Sequence, residues 1–354
     1  SPDRHRIAMI STGMLTSGDL RYVQGSMIGL YDAKSGQVLK RWPTPDARLY
    51  SIEFSPDSRY LAVGGAPVHF RGEVESRLPL PANFGVVLLD AETGEPIRVL
   101  KPAVPSKFGA DVRAIAISRD SHLLAATQPG NAIAVYELET GQLCQLFKGH
   151  ENQVRQMEFT EDGRRLVSIS SDTTGLVWDV SLASLAKPAA RDREQLWADL
   201  AKPEWPLAGP AMAALAQKPE TLLALVKQKI PAADKADLDR EVVGKWLTKL
   251  DDPIFAVRER ANAALERLGC ESLPLLRDKL SQSPNREYGA RLKRVIEHIQ
   301  RSPAPSEALR AIRAIAILRQ LQSTVANDAL KRLAAGHAEA ELTRCARAAL
   351  DPKK

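Results

Sequence analysis

SPDRHRIAMI (1–10), SPDSRYLAVG (55–64), SRDSHLLAAT (118–127) and TEDGRRLVSI (160–169) are four copies of one pattern. Each begins as a tight polar turn and runs into a strand of alternating apolar residues. A second pattern follows in step: IGLYDAKSGQVLK (28–40), VVLLDAETGEPIRVL (86–100), IAVYELETGQLCQLF (133–147) and GLVWDV (175–180). In its first three copies a strand reaches Asp or Glu, a Ser-Gly or Thr-Gly turn follows, and a second strand returns. Successive turns are 54, 63 and 42 residues apart.

A repeat of about 42 residues holding four short strands has the size of a β-propeller blade. The residues also resemble the WD40 family, and the last copy does so best. There Gly149-His150 comes first, and Asp172 stands six residues before Trp178-Asp179. In that family a His, a Ser of the second strand, a turn Asp and a Trp of the third strand form a hydrogen-bonded tetrad. The resemblance implies that role for His150, for Ser168 or Ser170, for Asp172 and for Trp178. The scheme is physically coherent, because a buried indole N–H and an imidazole both need partners. The other copies carry Tyr31, Leu89 and Tyr136 in the Trp place, with no Gly-His before them.

His150, Ser170 and Asp172 also have the residue types of a hydrolytic triad. Nothing nearby suggests an oxyanion hole or a nucleophile elbow, so no catalytic residue is expected. His5, His69 and His122 lie far apart with no ligand spacing, so neither a metal nor another cofactor is expected.

The chain has 354 residues, enough for two or three domains at the usual ~150 residues each. Hydrophobic residues make up 44% and charged residues 26%, which excludes a disordered chain. Cys144, Cys270 and Cys345 are too scattered for a disulfide framework or a zinc knuckle. No apolar run approaches the ~18–20 residues that span a bilayer. The opening SPDRHRIAMI lacks an initiator Met and a signal-peptide layout, so an internal start and a cytoplasmic location are expected. Charge divides the chain: residues 1–180 carry 19 Lys/Arg against 21 Asp/Glu, and residues 181–354 carry 30 against 22.

Counting strands a to d in each repeat, the chain opens in the a–b turn of its first copy. That copy shows strands b, c and d; two full copies follow, and the last shows a, b and c. The expected fold is a multidomain β + α chain. A partial, about four-blade WD40 β-propeller, open and C-shaped, occupies 1–181. A linker follows at 182–191, and an all-α HEAT-like helical solenoid at 192–354.

Three long segments stand between strands: 11–26, 64–85 and 101–111. As b–c or d–a connections they all emerge on one face, and loops well beyond about 2–6 residues tend to be functional. Phe70, Arg71, Arg77 and Phe84 make the second of them an aromatic and basic candidate for partner binding.

From Asp192 the period changes to 3.6, with Pro and Gly at the breaks. DDPIFAVRERANAALERLGCESLPLLRDKL (251–280) resembles a HEAT repeat, with Asp251 or Asp252 as cap, Pro253 in the first turn and Gly269 at the exit. Arg291, Lys293, Arg294, Arg310, Arg313 and Arg319 recur at helical spacing. They read as a solvated face beside acidic neighbours or, more sharply, as a surface for phosphate or acidic protein.

The whole resembles the C-terminal part of large bacterial WD-repeat proteins. It contains no kinase motif, Walker loop, GxGxxG or HExxH. The expected function is a non-enzymatic protein–protein interaction scaffold. The alternatives are a regulatory or sensor segment of a larger bacterial signalling enzyme, and weak nucleic-acid binding by the basic helical half. Other proteins are the expected partners, with no small-molecule substrate, no membrane and no nucleic acid in the leading reading.

Overall fold

The turn that opens each repeat is built the same way four times. In the computed structural model, Ser55 Oγ donates to Asp57 Oδ1 at 2.6 Å and accepts from Tyr60 N at 2.8 Å. Ser118 does the same with Asp120 and Leu123, at 2.6 and 2.8 Å. Thr160 repeats it with Asp162 and Arg165, at 2.6 and 3.1 Å, and Ser1 with Asp3 and Arg6. The fourth residue of each turn, Arg4, Ser58, Ser121 or Gly163, takes a positive φ between 58° and 66°. A hydroxyl, a carboxylate and one left-handed residue thus set where each strand begins.

The structure describes residues 1–17, 21–44, 47–67, 85–91, 93–94, 96–104, 111–230, 240–268, 272–282, 286–301, 306–336 and 341–350. The chain divides into two compact units, Ser1–Ala186 and Lys187–Leu350.

The first unit holds four antiparallel sheets. Strands β1 (Arg6–Ser17), β2 (Arg21–Asp32) and β3 (Val38–Thr44) form the first, and β4 (Ala47–Phe54), β5 (Tyr60–Pro67), β6 (Val86–Asp90) and β7 (Pro96–Leu100) the second. The third contains β8 (Ile115–Ile117), β9 (Leu123–Thr127), β10 (Ile133–Glu137) and β11 (Leu143–Phe147), and the fourth β12 (Val154–Phe159), β13 (Arg165–Ser170) and β14 (Gly175–Asp179). The register is common to all. Ala8↔Leu30, Ala62↔Leu88, Ala125↔Val135 and Val167↔Val177 are equivalent cross-strand pairs. In the first three sheets the c–d turn closes on a glycine, Gly36, Gly94 or Gly141, with φ of +70°, +65° and +70°. A Cβ on Gly94 would also stand 1.8 Å from the Trp42 ring, so that turn admits no side chain.

The sheets stack through apolar faces. Ala8, Ile10, Ile28, Leu30 and Trp42 of the first pack on Leu61, Val63, Val87 and Leu89 of the second. Ala62, Val86, Leu88 and Leu100 of the second pack on Ile115, Ile117, Leu124 and Tyr136 of the third. Polar contacts lock the same junctions. Lys40 Nζ donates to Thr93 O at 2.8 Å, Arg98 Nη1 to Leu138 O at 3.0 Å, and Asp57 N to Ser121 Oγ at 3.0 Å.

Two expectations change here. Over 11–17 and 21–26 the chain is not an open loop: β1 and β2 continue as one ladder as far as Ser17↔Arg21, because their Thr, Val and Tyr residues suit extended backbone. Residues 64–67 likewise belong to β5, paired with β4. Within the span expected as linker, Leu182–Leu185 form helix α1, with both leucines buried.

The second unit is helical: α2 (Arg193–Asp199), α3 (Trp205–Ala216), α4 (Pro219–Lys229), α5 (Arg240–Lys249), α6 (Phe255–Leu268), α7 (Leu273–Ser281), α8 (Arg286–Arg301), α9 (Ser306–Leu321), α10 (Thr324–Ala334) and α11 (Glu341–Leu350). Asp192 caps α2 by accepting from Gln195 N at 2.8 Å. Asp252 accepts from Ile254 N at 2.8 Å, so Pro253 precedes α6 instead of lying in its first turn. Gly269 lies outside the described residues.

A solenoid stacks each helix on its sequence neighbours. The packing of α9 departs from that order. Helices α5 to α8 share one core around Leu247, Leu265, Leu276, Leu292 and Ile296. Helix α9 packs on α3, α4, α10 and α11, which brings distant parts of the chain together. The physical reason lies in its sequence, AIRAIAIL (311–318), which is apolar on every side except at Arg313 and is buried at every position.

Arg313 sits in that run and is 0% exposed. It therefore does not belong to the basic surface that its helical spacing suggests. Its Nη1 donates to Leu200 O at 2.8 Å and also to Lys202 O, carbonyls just beyond the C-terminus of α2 and 113 residues away in sequence for Leu200. A buried guanidinium is tolerable when carbonyls at a helix C-terminus take its protons. Arg332 does the same for Val226 O and Ile230 O, both at 3.1 Å. Arg291 pairs with Asp251 and Glu287, and Arg310 with Glu307. Much of the basic surplus is therefore engaged within the fold.

Arg313→Met keeps most of the volume and orphans two carbonyls, so urea denaturation should show a loss of about 2–3 kcal/mol. Arg294→Met, on the exposed face of α8, should stay within ~0.5 kcal/mol of wild type.

Candidate functional site

The fourth sheet brings four of the candidate residues together. His150 precedes β12, Ser168 lies on β13, Asp172 in the turn after it, and Trp178 on β14. His150 Nε2 is 2.7 Å from Ser168 Oγ, and Nδ1 is 3.0 Å from Asp172 Oδ2. Trp178 Nε1 donates to Ser168 Oγ at 2.8 Å. An ionised carboxylate only accepts, so Nδ1–H points at Asp172 and Nε2 accepts the Ser168 hydroxyl proton. Every proton in the chain then has one acceptor.

Asp172 is held well below the usual carboxylate range, first by the Thr174 hydroxyl, then by the backbone N–H groups of Thr174 and Glu151 and by His150. Thr174 also stands 3.2 Å from His150 Nδ1 and is a fifth member that the family pattern did not single out. The Asp-Thr-Thr spacing was its signal. Ser170 is not part of the chain, because its hydroxyl donates to Asn152 O at 2.9 Å. A Cβ on Gly149 would meet the Trp178 ring at 2.9 Å, which explains glycine before the histidine.

Ser168, His150 and Asp172 have the spacing of a hydrolytic triad, yet Ser168 is 1% exposed and its oxygen already accepts the indole N–H. No substrate carbonyl can reach it. Among the described residues no group of three His, Cys, Asp or Glu could hold a metal ion. In the third sheet the Trp place is Tyr136, whose hydroxyl donates to Lys101 O at 2.9 Å.

The loop candidates Phe70, Arg71, Arg77 and Phe84 lie outside the described residues. The same end of the sheets carries Tyr50 and Arg113, with the guanidinium 4.8 Å over the ring and bound to Asp111 at 2.8 Å. Nothing in the spacing of the sequence brought these two together.

Residues 141–179 match the family model described as WD domain, G-beta repeat. The fourth sheet is a WD40 repeat. The chain is 30% identical over 188 residues to WD repeat-containing protein SL1-17 of Schistosoma mansoni, covering 52% of this chain and 55% of that protein. It is 34% identical over 64 residues to human WD repeat-containing protein 36, covering 18% of this chain and 7% of that one. A third relative is the intraflagellar transport protein 122 homolog of Danio rerio, 33% identical over 75 residues, 21% of this chain and 6% of that protein. The chain thus spans about half the length of the first relative and a small part of the others.

One further group lies where the sheets meet. Glu53 Oε1 on β4 accepts from Ile117 N on β8 at 3.2 Å. Burial pushes its carboxyl up to about 7; the Ile117 N–H opposes this and Glu158 adds to it. An acid whose folded pKa lies above its unfolded value binds more protons when folded. Its contribution to stability is full at low pH and is lost as pH rises from about 4.5 to 7. Glu53→Gln keeps an acceptor for Ile117 and should gain on the order of 3 kcal/mol over wild type near pH 8 and nothing near pH 4, read from denaturation curves.

Removing the shared oxygen in Ser168→Ala leaves an imidazole and an indole N–H unpaired and should cost about 1–3 kcal/mol. Trp178→Ala should cost about 3–5 kcal/mol as a large-to-small change. Thermal unfolding of both variants checks this.

Proposed function

We propose that this chain is a non-enzymatic scaffold for protein partners. The WD40 repeat over 141–179 carries the reading, because repeats of this kind serve as platforms for proteins. The closed tetrad supports it: its one serine hydroxyl is buried and committed on both sides. No helix among the described residues is long and apolar enough to cross a membrane.

The contact surface proposed is the end of the sheets where the d–a and b–c connections emerge, with Phe70, Arg71, Arg77 and Phe84 joined by Tyr50 and Arg113. Aromatic and Arg side chains supply a disproportionate share of interface energy. Replacing 68–84 with a short Gly-Asn turn joins Pro67 to Gly85 and leaves the β4–β5 ladder untouched. Affinity capture should lose its specific partners in this variant, and in a Tyr50→Ala, Arg113→Ala double variant, at unchanged melting temperature. An unaltered partner set would overturn the surface. A hydrolytic activity abolished by Ser168→Ala would overturn the non-enzymatic reading.

A further inference from the structure

Strand β8 is an end strand of the third sheet, so every second backbone group on it faces away from the ladder. Ser118 N donates to Leu123 O and Ala114 O accepts from Thr127 N, which puts residues 114, 116 and 118 in step with β9. Ile117 N–H therefore points out of the sheet, although the residue is only 6% exposed. A buried N–H needs an acceptor. It finds one in the second sheet, where Glu53 Oε1 stands 3.2 Å away.

Register makes this tie particular to one junction. Glu53, Ala116 and Glu158 each stand two residues before the hydroxyl residue of their turn, Ser55, Ser118 or Thr160. Alanine offers no acceptor, so the third sheet does not reach the fourth in this way. Glu158 on β12 is the charged group that acts on Glu53. Of the strands packed on β4, β5 sets Ala62 opposite Glu53, and β8 reads Ile-Ala-Ile without a charge. Among the described side chains of β1 and β2, Arg6 is held by Asp3 and Ala91 O, and Asp32 by Ser35. All of these groups lie inside the one compact unit Ser1–Ala186.

We propose that Glu53 is a proton-operated latch between the second and third sheets: protonated, it holds the Ile117 N–H, and ionised, it swings to water and frees the end of β8. The carboxyl gives one proton to solvent, and water takes over at both the carboxylate and the released N–H. Burial holds the folded carboxyl at about 7, against the usual 4.5. Opening therefore becomes easier from about pH 4.5 upward and no easier beyond about 7. Ala62, Val86, Leu88 and Leu100 remain packed on Ile115 and Tyr136 whatever the state of that proton, which keeps the release local. Overall stability falls over the same range, and the latch adds that Ile117 opens before the rest.

Amide hydrogen exchange of the full chain, corrected for the intrinsic rate at each pH, tests this. Protection of Ile117 should fall about tenfold per pH unit from about 4.5 to about 7 and then level off. That exchange should respond little to low urea. The amides of β10, in the middle of the same sheet, should exchange more slowly and only through urea-sensitive unfolding. In Glu53→Gln, protection of Ile117 should not depend on pH over this range. Glu158→Gln removes the charge that raises the Glu53 carboxyl, so the fall should level off at a lower pH. This second variant decides the matter should Glu53→Gln fail to give wild-type circular dichroism. Protection of Ile117 that is flat with pH in wild type, exchange in step with β10 under urea, a pH dependence kept in Glu53→Gln, or a plateau unmoved by Glu158→Gln would each overturn the proposal.

Discussion

Burial of both faces of a strongly apolar sheet is the constraint on which the first unit depends. A sheet with one wet face alternates polar and apolar residues; here β6 reads Val-Val-Leu-Leu and β10 Ile-Ala-Val-Tyr, buried at every position. Such a sheet is stable only between two others. The repeated hydroxyl–carboxylate turns fix where each strand starts, and the common register then places equivalent side chains at equivalent depth. Lys40 and Arg98 complete the junctions by donating to carbonyls of the following sheet.

The tetrad shows how little separates a structural network from a catalytic one. Distances of 2.7 and 3.0 Å link serine, histidine and aspartate in the order used by hydrolases. Burial and the indole N–H decide the matter, since a hydroxyl oxygen that already accepts a hydrogen bond and faces no solvent has no route to a substrate. The network instead ties the segment before β12 to β13, β14 and the turn between them. In the helical unit Arg313 has the corresponding part, joining α9 to the end of α2 through charge-assisted bonds in a buried setting.

The local rules were largely legible in the sequence. Ser/Thr-x-Asp marked the strand starts, Asp/Glu-x-x-Ser/Thr-Gly the c–d turns, and the change of period near Asp192 the onset of helices. His150, Asp172 and Trp178 stood out because their spacing is that of a known repeat. All of these depend on interactions within a few residues, or within one sheet of fixed register, so the chain order itself carries them.

What only the tertiary structure decided depends on contacts between distant segments. Two serines two residues apart on β13 share one face of the strand, and only their position along it, against different neighbours, places Ser168 under the indole and Ser170 on Asn152. Arg313 has the spacing of a surface arginine, and only the packing of α9 among helices far from it in the chain buries it. The raised pKa of Glu53 likewise comes from strands that meet across the unit. Sequence determined the repeats and their turns, because these are local; partner choice between distant apolar and charged groups is a property of three-dimensional packing.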